Sequence, residues 1–318
     1  MSEKLDEISE LEHAVYDDFA AREVDEYWDG ERFGVTSNYG DLKRVLLHEP
    51  GEELNAVTAE EGRWLWDGTP DVEQAKADFR EFRETLENEG VETHLLGDAY
   101  EGKAKQYFMR DQSIVTPAGA IVGRMALEQR KGEERPVMQR LVELGIPIIS
   151  MVHGTGTFEG GNFFWIDETT AIVGEGVRTN FEGIDQVRQT LEKQSVEVLE
   201  ASVPSYLNTV AGYVHLDVSL NILDDDLAVV YPEGLPYWVL EYLAERDFEL
   251  VEISREEQKH MGTNMLPLEP RKVVAASGNQ ETKALLEDHG VEIIEVEMDE
   301  LIKGGGGPRC STLELLRE

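Results

Sequence analysis

Apolar residues recur at helical and strand spacings along most of this chain. Five stretches carry apolar residues at i, i+3 and i+4, which is the spacing of one buried helix face. They predict helices over 75–89, 137–144, 184–193, 238–245 and 282–288. Each helix ends at a short break, and an alternating or apolar run then predicts a strand over 90–96, 145–150, 196–201, 248–253 and 290–296.

A further strand precedes each helix, usually as one arm of a hairpin. These strands are predicted over 43–48, 120–123, 171–174, 227–231 and 272–276, and turn residues such as Pro117-Ala-Gly119 stand before several of them. The repeating unit is strand, turn, strand, helix, strand, about five times at a spacing of roughly 50 residues. An ordinary doubly wound sheet has single strands between its helices. The pattern therefore predicts the α/β class: five ββαβ modules in a ring, a closed propeller with a central active site.

The repeat divides the chain into two parts. Residues 1–37 lie outside the pattern and are predicted to form an acidic helical leader, which could pack on the body or pair subunits into a homo-oligomer. Residues 38–318 are predicted to form a single catalytic propeller domain. No apolar run approaches the ~18–20 residues that span a bilayer, and the start of the chain lacks the apolar core of a signal peptide. A cytoplasmic protein is therefore expected.

The formal net charge is −37, with acidic residues along the whole length. Such a surface repels nucleic acids and anionic membranes, so neither is expected as a partner. Disorder is one interpretation of this charge, but the apolar content of 41% and the periodicity argue against it. A salt-rich cytoplasm fits better, because salt screens self-repulsion within a few ångströms. We expect structure and activity to be lost at low salt; full stability in dilute buffer would contradict this.

Several polar residues occupy corresponding places in successive modules. Asp111, Glu159, His215 and Asp217 fall on the first arms of modules two, three and four, and Cys310 follows the last module. Equivalent arms of a pseudo-symmetric ring converge on its axis. One central site could therefore hold all five residues.

Cys310 is the single cysteine, so no intramolecular disulfide can form. A lone cysteine can be a buried apolar filler, or a reactive thiolate if a cation lies near. It follows Gly304-Gly-Gly-Gly307 and Pro308. That run could be a flexible linker, but the tail after it still carries apolar residues to bury. A constrained loop that presents the thiol to a ligand is the alternative.

The other candidates also have structural interpretations. His215 and Asp217, at i and i+2, would share one face of a strand, and this histidine could simply be half-buried there. A metal site is weakly indicated, because no second His or Cys falls at ligand spacing. Glu159-Gly-Gly-Asn162 could be a hairpin entrance. Three carboxylates beside one thiol would normally suppress thiolate formation, and a bound cation such as a planar guanidinium resolves this.

Taken together, these motifs resemble the guanidino-group-modifying superfamily, which includes arginine deiminases, dimethylarginine dimethylaminohydrolases, agmatine deiminases and amidinotransferases. The resemblance runs from about Tyr39 to the C-terminus and starts with Gly40-Asp-Leu-Lys-Arg-Val-Leu-Leu-His-Glu-Pro50. Arg110-Asp111, Glu159-Gly-Gly, His215-Leu-Asp217 and Gly-Gly-Pro-Arg-Cys310 follow in the family's order, and the last is most similar to arginine deiminases. The resemblance implies the family fold, a five-module α/β propeller or pentein.

The resemblance also implies roles. Cys310 would be the nucleophile and His215 the general acid and base, while Glu159 would align substrate and histidine. The substrate contacts would come from the carboxylates Asp111 and Asp217, from Arg178 and Arg130 at the α-carboxylate, from Phe108 on the aliphatic stem, and from Asn162. Deiminases commonly have aspartate at the position of Asn162 and an arginine within the glycine run, and this chain has neither.

The activity implied is hydrolysis of a guanidino group, first of all arginine to citrulline and ammonia, with no metal and no organic cofactor. An amidinotransferase shares the first half of that reaction, and a dihydrolase would release ornithine. A catalytically silent protein that kept the fold is the alternative outside enzymes. The expected partner is a small guanidino substrate.

Overall fold

The computed structural model describes residues 28, 32–59, 65–97, 102–204 and 214–318. In this part of the chain the repeat is visible as five three-stranded sheets, each with a crossover helix. The α/β class, the five modules and the five helices predicted from the periodicity are confirmed.

The modules follow one another along the chain. The strands are β1 Leu42–Leu47, β2 Glu92–Leu95, β3 Ser113–Thr116, β4 Gly119–Val122, β5 Ile148–Met151, β6 Phe163–Asp167, β7 Thr170–Glu175, β8 Glu197–Ser202, β9 Leu220–Asp224, β10 Leu227–Val230, β11 Glu249–Glu252, β12 Leu266–Glu269, β13 Lys272–Ala276, β14 Glu292–Val296 and β15 Leu313–Arg317. The helices are α1 Val72–Asn88, α2 Glu134–Glu143, α3 Phe181–Glu192, α4 Tyr237–Ala244, α5 Arg255–Lys259, α6 Gln280–Asp288 and α7 Asp299–Ile302.

Each sheet has the same internal order. The middle strand pairs antiparallel with one neighbour, which precedes it in the chain in modules two to five, and parallel with the strand after it, as β4 does with β3 and β5. A short hairpin is enough for the antiparallel pair, whereas the parallel pair needs a crossover, which α1, α2, α3, α4 and α6 provide. The ββαβ order predicted from the sequence follows from these two connections.

The first module is completed by the other end of the chain. β15 pairs antiparallel with β1, so that the sheet order is β15, β1, β2. The apolar tail after Cys310 thus supplies the first arm of module one. This pairing closes the ring and fixes the loop that carries Cys310 beside module one.

The core consists of apolar clusters between neighbouring modules. Leu46 and Val115 belong to a cluster that joins modules one and two, and Ile121 and Val173 to one that joins two and three. Similar clusters join modules three and four, four and five, and five and one. Because each sheet buries both faces against its neighbours, the five modules form a closed ring around an axis.

The predicted leader over 1–37 lies mostly outside the described residues. Its last residues run beside β15: the Gly34 N–H donates to Leu315 O at 2.9 Å, and Val35 is buried. The division at residue 37 stays a prediction. Among the described residues, no helix has both the length and the apolar character that a membrane crossing needs.

Candidate active site

The candidate residues lie at one end of the ring, in the short segments that lead into the first strands. Asp111 ends a 3-10 turn, Met109–Asp111, just before β3. Glu159 precedes the turn Gly160–Asn162 before β6, and His215 precedes the turn Leu216–Val218 before β9. The prediction that these residues lie on the strand arms was therefore wrong by a few residues, because the chain bends before each strand begins.

The expected shared strand face of His215 and Asp217 is also absent. His215 is extended, with φ −130° and ψ 155°, while Asp217 belongs to the following 3-10 turn. In such a turn, residues two apart do not face the same side as they would in a strand. Both side chains still reach the site, since the turn directs Asp217 towards the thiol.

His215 is held between two carboxylates. Its Nε2 lies 2.8 Å from Glu159 Oε2, and its Nδ1 lies 3.5 Å from Asp111 Oδ1. Burial alone would lower the pKa of His215, but Asp111 and the Glu159 hydrogen bond outweigh it, and the pKa is raised. Because Glu159 engages Nε2, Nδ1 is the nitrogen that can exchange a proton on the side of Asp111.

Two buried arginines neutralise these carboxylates. Arg178 Nη1 donates to Glu159 Oε2 at 3.2 Å. Arg130 donates to Asp111 Oδ2, pairs with Glu133 at 2.8 Å, and lies 3.7 Å from Glu159. Burial raises the pKa of Glu159, but Arg178, the His215 hydrogen bond and Arg130 together hold it far below its usual range. Glu159 is therefore a carboxylate at any working pH.

The same cluster could be considered as a metal site. Ligand atoms of Asp111, Glu159 and His215 lie within 4.8 Å of one another. However, Arg130 and Arg178 already pair with both carboxylates, so a divalent cation would lie next to two guanidinium groups. The donor set fits a charge-neutralised hydrogen-bonding network better than a metal.

Cys310 lies beside Asp217 and Asn264 and is buried, with 3% exposure. Its Sγ lies 3.4 Å from Asp217 Oδ2 and accepts an N–H from Asn264 Nδ2 at 3.1 Å. Burial raises the pKa of the Cys310 thiol, and Asp217 and Asp111 raise it further. Without a cation in the site, the resting cysteine is a thiol and not a thiolate.

Asn264 is the site residue that the sequence reasoning missed. It lies two residues before β12, which is the place that Asp111 occupies before β3. That shared offset was the available signal. An amide carries no charge, however, and Asn264 belongs to none of the motifs described above, so its residue type alone did not indicate a role.

Two carboxylate oxygens in the site have no hydrogen-bond partner among the described residues, although His215 Nδ1 lies 3.5 Å from one of them, Asp111 Oδ1. Asp111 Oδ1 and Asp217 Oδ1 are both buried and accept no hydrogen bond. An unpaired buried carboxylate oxygen is costly, so these atoms are suited to a ligand that brings N–H donors. Burial, and after it the charge of Asp111, raises the pKa of Asp217. A cationic ligand beside Asp217 would lower that pKa again.

Glycines and an aromatic ring shape the space around the thiol. A Cβ on Gly161 would lie 2.8 Å from Asp111 Oδ1 and 2.9 Å from His215 Nδ1. A Cβ on Gly306 would lie 2.4 Å from the Phe108 ring and 2.7 Å from Cys310 Cβ. Any side chain at either glycine would therefore fill the site. The predicted contact of Phe108 with a substrate stem stays a prediction, and the ring lies beside the thiol.

Asn162 has a different environment from the other predicted contacts. Its Nδ2 donates to Thr179 Oγ1 at 3.1 Å, and its Oδ1 accepts the N–H of Leu216 at 3.1 Å. Both ends of the amide therefore hold the chain next to His215. Direct contact with substrate stays a prediction for this residue.

Lys105 is a buried basic residue close to the site. Its Nζ donates to Gly304 O at 2.7 Å and to Leu65 O at 3.0 Å. Burial, with the nearby charges of Arg178 and Arg130, lowers the pKa of Lys105 to about 7. The amino group thus ties the glycine-rich loop to the segment at residue 65.

We expect Lys105→Met to change how stability depends on pH. The unfolded chain binds this proton below its ordinary pKa of 10.5, whereas the native protein binds it only near 7. The free energy of unfolding of the wild type should therefore fall relative to that of Lys105→Met as pH drops from about 10.5 to about 7. The expected slope is up to about 1.4 kcal/mol per pH unit. Urea unfolding of both proteins at several pH values in that window measures the difference.

Lys103→Met is the control, since its ammonium also donates to a backbone carbonyl, Gln129 O, but is only partly buried. A difference between wild type and Lys105→Met that stays constant with pH would contradict the assignment.

Comparisons with known proteins identify a family and similar folds. A family profile described as N,N dimethylarginine dimethylhydrolase, eukaryotic, matches residues 66–317. The uncharacterized protein YkgA of Bacillus subtilis is 29% identical over 282 residues, which cover 88% of this chain and 94% of that protein. An arginine deiminase of Streptococcus uberis is 23% identical, over 89% of this chain and 98% of that enzyme.

Solved structures share the fold. DDAH from Pseudomonas aeruginosa, complexed with citrulline, superposes with a TM-score of 0.71 at 23% identity, over 86% of this chain and 99% of that one. The N-terminal domain of ArgZ, a cyanobacterial arginine dihydrolase bound to product, superposes with a TM-score of 0.75 at 18% identity, over 87% and 98%. At these identities the likeness concerns the five-module fold.

Proposed function

The chain belongs to the N,N-dimethylarginine dimethylhydrolase family, and we propose that it hydrolyses the guanidino group of arginine or of an N-methylated arginine to citrulline. The coproduct is ammonia or a methylated amine. The observation that carries this proposal is the pair of buried carboxylate oxygens, Asp111 Oδ1 and Asp217 Oδ1, which accept no hydrogen bond from the described residues and lie next to a buried thiol. The names of the relatives, among them arginine deiminases, support the same chemistry.

A guanidinium fits between these carboxylates. It is planar and cationic, and its N–H groups can pair with carboxylate oxygens in a fixed geometry. Asp111 and Asp217 would take its nitrogens and leave the central carbon next to Cys310. The bound cation cancels the effect of the two carboxylates on the sulfur, so that the thiol can lose its proton to solvent when substrate binds.

The first half of the reaction forms a covalent intermediate. The thiolate attacks the guanidinium carbon, and a C–S bond forms in a tetrahedral adduct. His215, protonated because of Asp111 and Glu159, gives its Nδ1 proton to the departing nitrogen. The C–N bond breaks, the amine leaves, and a thiouronium remains on Cys310.

The second half uses the histidine in its neutral form. His215 takes a proton from water, and the resulting hydroxide adds to the thiouronium carbon. The C–S bond then breaks, the sulfur leaves as a thiolate, and the added hydroxyl loses its proton to solvent, which gives the ureido product. A proton from solvent converts the thiolate back to the resting thiol, so that one water is consumed, one amine is released, and the enzyme returns to its starting state.

Arg178 and Arg130 remain the proposed contacts of the substrate α-carboxylate. The ion pair of Arg178 with Glu159 uses Nη1. Among the described residues this leaves further donors on its planar guanidinium, so Arg178 can serve both groups. Arg130 already pairs with Asp111 and Glu133, which makes it the weaker candidate of the two.

Product analysis tests this function. The purified protein is incubated at high salt with arginine, with mono- and dimethylated arginine and with agmatine, and the products are separated by mass. Citrulline with ammonia or a methylamine supports the proposal. Ornithine with two ammonia indicates a dihydrolase, and ornithine formed only with an added amine acceptor indicates an amidinotransferase. No product from any of the four compounds would overturn guanidino hydrolysis.

A further inference from the structure

Asn264 contacts the thiol but has no part in the mechanism proposed above. Its side chain is fully buried in module five, two residues before β12. Its Nδ2 donates to Cys310 Sγ at 3.1 Å and to the backbone Asp217 O at 2.9 Å. One amide thus donates one N–H to the sulfur and the other to the backbone of Asp217, whose carboxylate lies beside the same sulfur.

The orientation of this amide is determined by its other end. Asn264 Oδ1 accepts the backbone N–H of Gly307 at 2.9 Å and the backbone N–H of Cys310 at 3.1 Å. A flipped amide would point its NH₂ group at these two donors, which cannot accept a hydrogen bond. The sulfur therefore faces an N–H and not a carbonyl oxygen.

We propose that Asn264 is a catalytic residue whose side-chain N–H stabilises the thiolate of Cys310. This inference rests on the proposed function, because a thiolate is required only if Cys310 attacks the substrate. A hydrogen bond to a charged acceptor is stronger than one to its neutral form, so a fixed N–H favours the thiolate over the thiol.

The surroundings of the sulfur explain why such a donor is needed. The titratable groups that face it from other elements are Asp217, Asp111 and the phenol of Tyr107. Burial and the two carboxylates raise the pKa of the Cys310 thiol, whereas the hydrogen bond from Asn264 lowers it. The substrate cation offsets the carboxylates only while it is bound. Asn264 acts on the sulfur at every stage, including when the thiolate leaves the intermediate.

The alkylation rate of Cys310 measures this effect directly. Because the chain has a single cysteine, the reaction of the intact protein with iodoacetamide, followed by mass, reports on this sulfur alone. Asn264→Asp keeps the size and the acceptor oxygen but replaces the donor by an oxygen. We expect the thiol pKa to rise by about one unit and alkylation at pH 8 to slow about tenfold, with kcat/KM falling in parallel.

Asn264→Ala is the second variant, since it removes the donor without adding a charge, and it should slow alkylation in the same direction. Asn279→Asp is the matched control in the same module. Its Nδ2 likewise donates two hydrogen bonds, but both go to backbone carbonyls, His260 O and Ala276 O, and none to Cys310. That variant should leave the alkylation profile unchanged.

The outcomes separate this inference from the proposed function. Unchanged thiol reactivity in both Asn264 variants, or a changed thiol with unaltered kcat/KM, would overturn the catalytic role. A lower melting temperature with normal alkylation of the folded protein would mean that Asn264 has a structural role only, and would also overturn the catalytic role. If wild type processes no guanidino compound while the variants still shift the thiol, the proposed function fails but the stabilising hydrogen bond stands.

Discussion

Replacing Cys310 by serine is expected to lower turnover by at least about 10⁴-fold. A serine hydroxyl is a far weaker acid than a thiol, and Asp217 and Asp111 next to it disfavour a second negative charge further. Substrate binding can offset these two carboxylates, but it cannot make an alkoxide available at neutral pH. The hydroxyl would remain protonated, and the C–N bond would not break.

The same substitution should leave the fold intact. Serine is nearly the size of cysteine, and Asn264 Nδ2 and Asp217 Oδ2 can hydrogen-bond to its hydroxyl. We expect stability to change by no more than about 1 kcal/mol. Single-turnover citrulline release and urea unfolding, measured on the same preparation, check both statements.

Ser311→Ala is the control for this loop. It removes a buried hydroxyl that donates to Gly307 O at 3.0 Å, one residue from the nucleophile, without touching the sulfur. Its activity should stay within about tenfold of wild type. If Cys310→Ser kept a comparable activity, covalent catalysis by this residue would be refuted.

Replacing His215 by alanine is the change with the second largest expected effect, a loss of about 10³-fold or more. The leaving nitrogen would then have no proton donor and the attacking water no base, because the same imidazole serves both steps. Glu159 cannot substitute for it, since Arg178 and Arg130 hold its pKa far below the working range. Steady-state kinetics with the preferred substrate measure the loss.

Added imidazole distinguishes chemistry from structure at this position. The missing ring leaves space beside Asp111 and Glu159, so free imidazole should restore part of the activity of His215→Ala in a concentration-dependent way. His48→Ala is the control: His48 is also buried and lies 3.4 Å from a glutamate, Glu53, but in module one. It should lose stability while keeping activity and showing no response to imidazole. An equal loss of kcat in both variants would argue against acid–base catalysis by His215.

Much of the site could be predicted because its motifs recur at one place in each module. Asp111, Glu159, His215, Asp217 and Cys310 were grouped from their positions relative to the strands, and the structure brings them to one end of the ring. Their roles remain to be tested by the substitutions above. The grouping needed only the order of elements, since equivalent segments of a ring must face the same axis.

The contacts within that group could not be predicted. The bends before β3, β6 and β9, the amide of Asn264 on the sulfur and the pairing of Arg130 with Asp111 each depend on where a side chain points. That direction is set by backbone angles at a turn, and these angles are determined by packing between modules. The same holds for the closure by β15, which brings residue 313 next to residue 46.

The sequence by itself determined the elements, their fivefold repeat and the charge of the chain. All three follow from short-range periodicity and composition, which need no knowledge of distant contacts. Only the tertiary structure decided which polar atoms are satisfied and which are left for a ligand. Whether a hydrogen bond forms depends on its donor–acceptor distance to within a few tenths of an ångström. Many of these bonds join residues far apart in the chain, so their pattern exists only once the ring has closed.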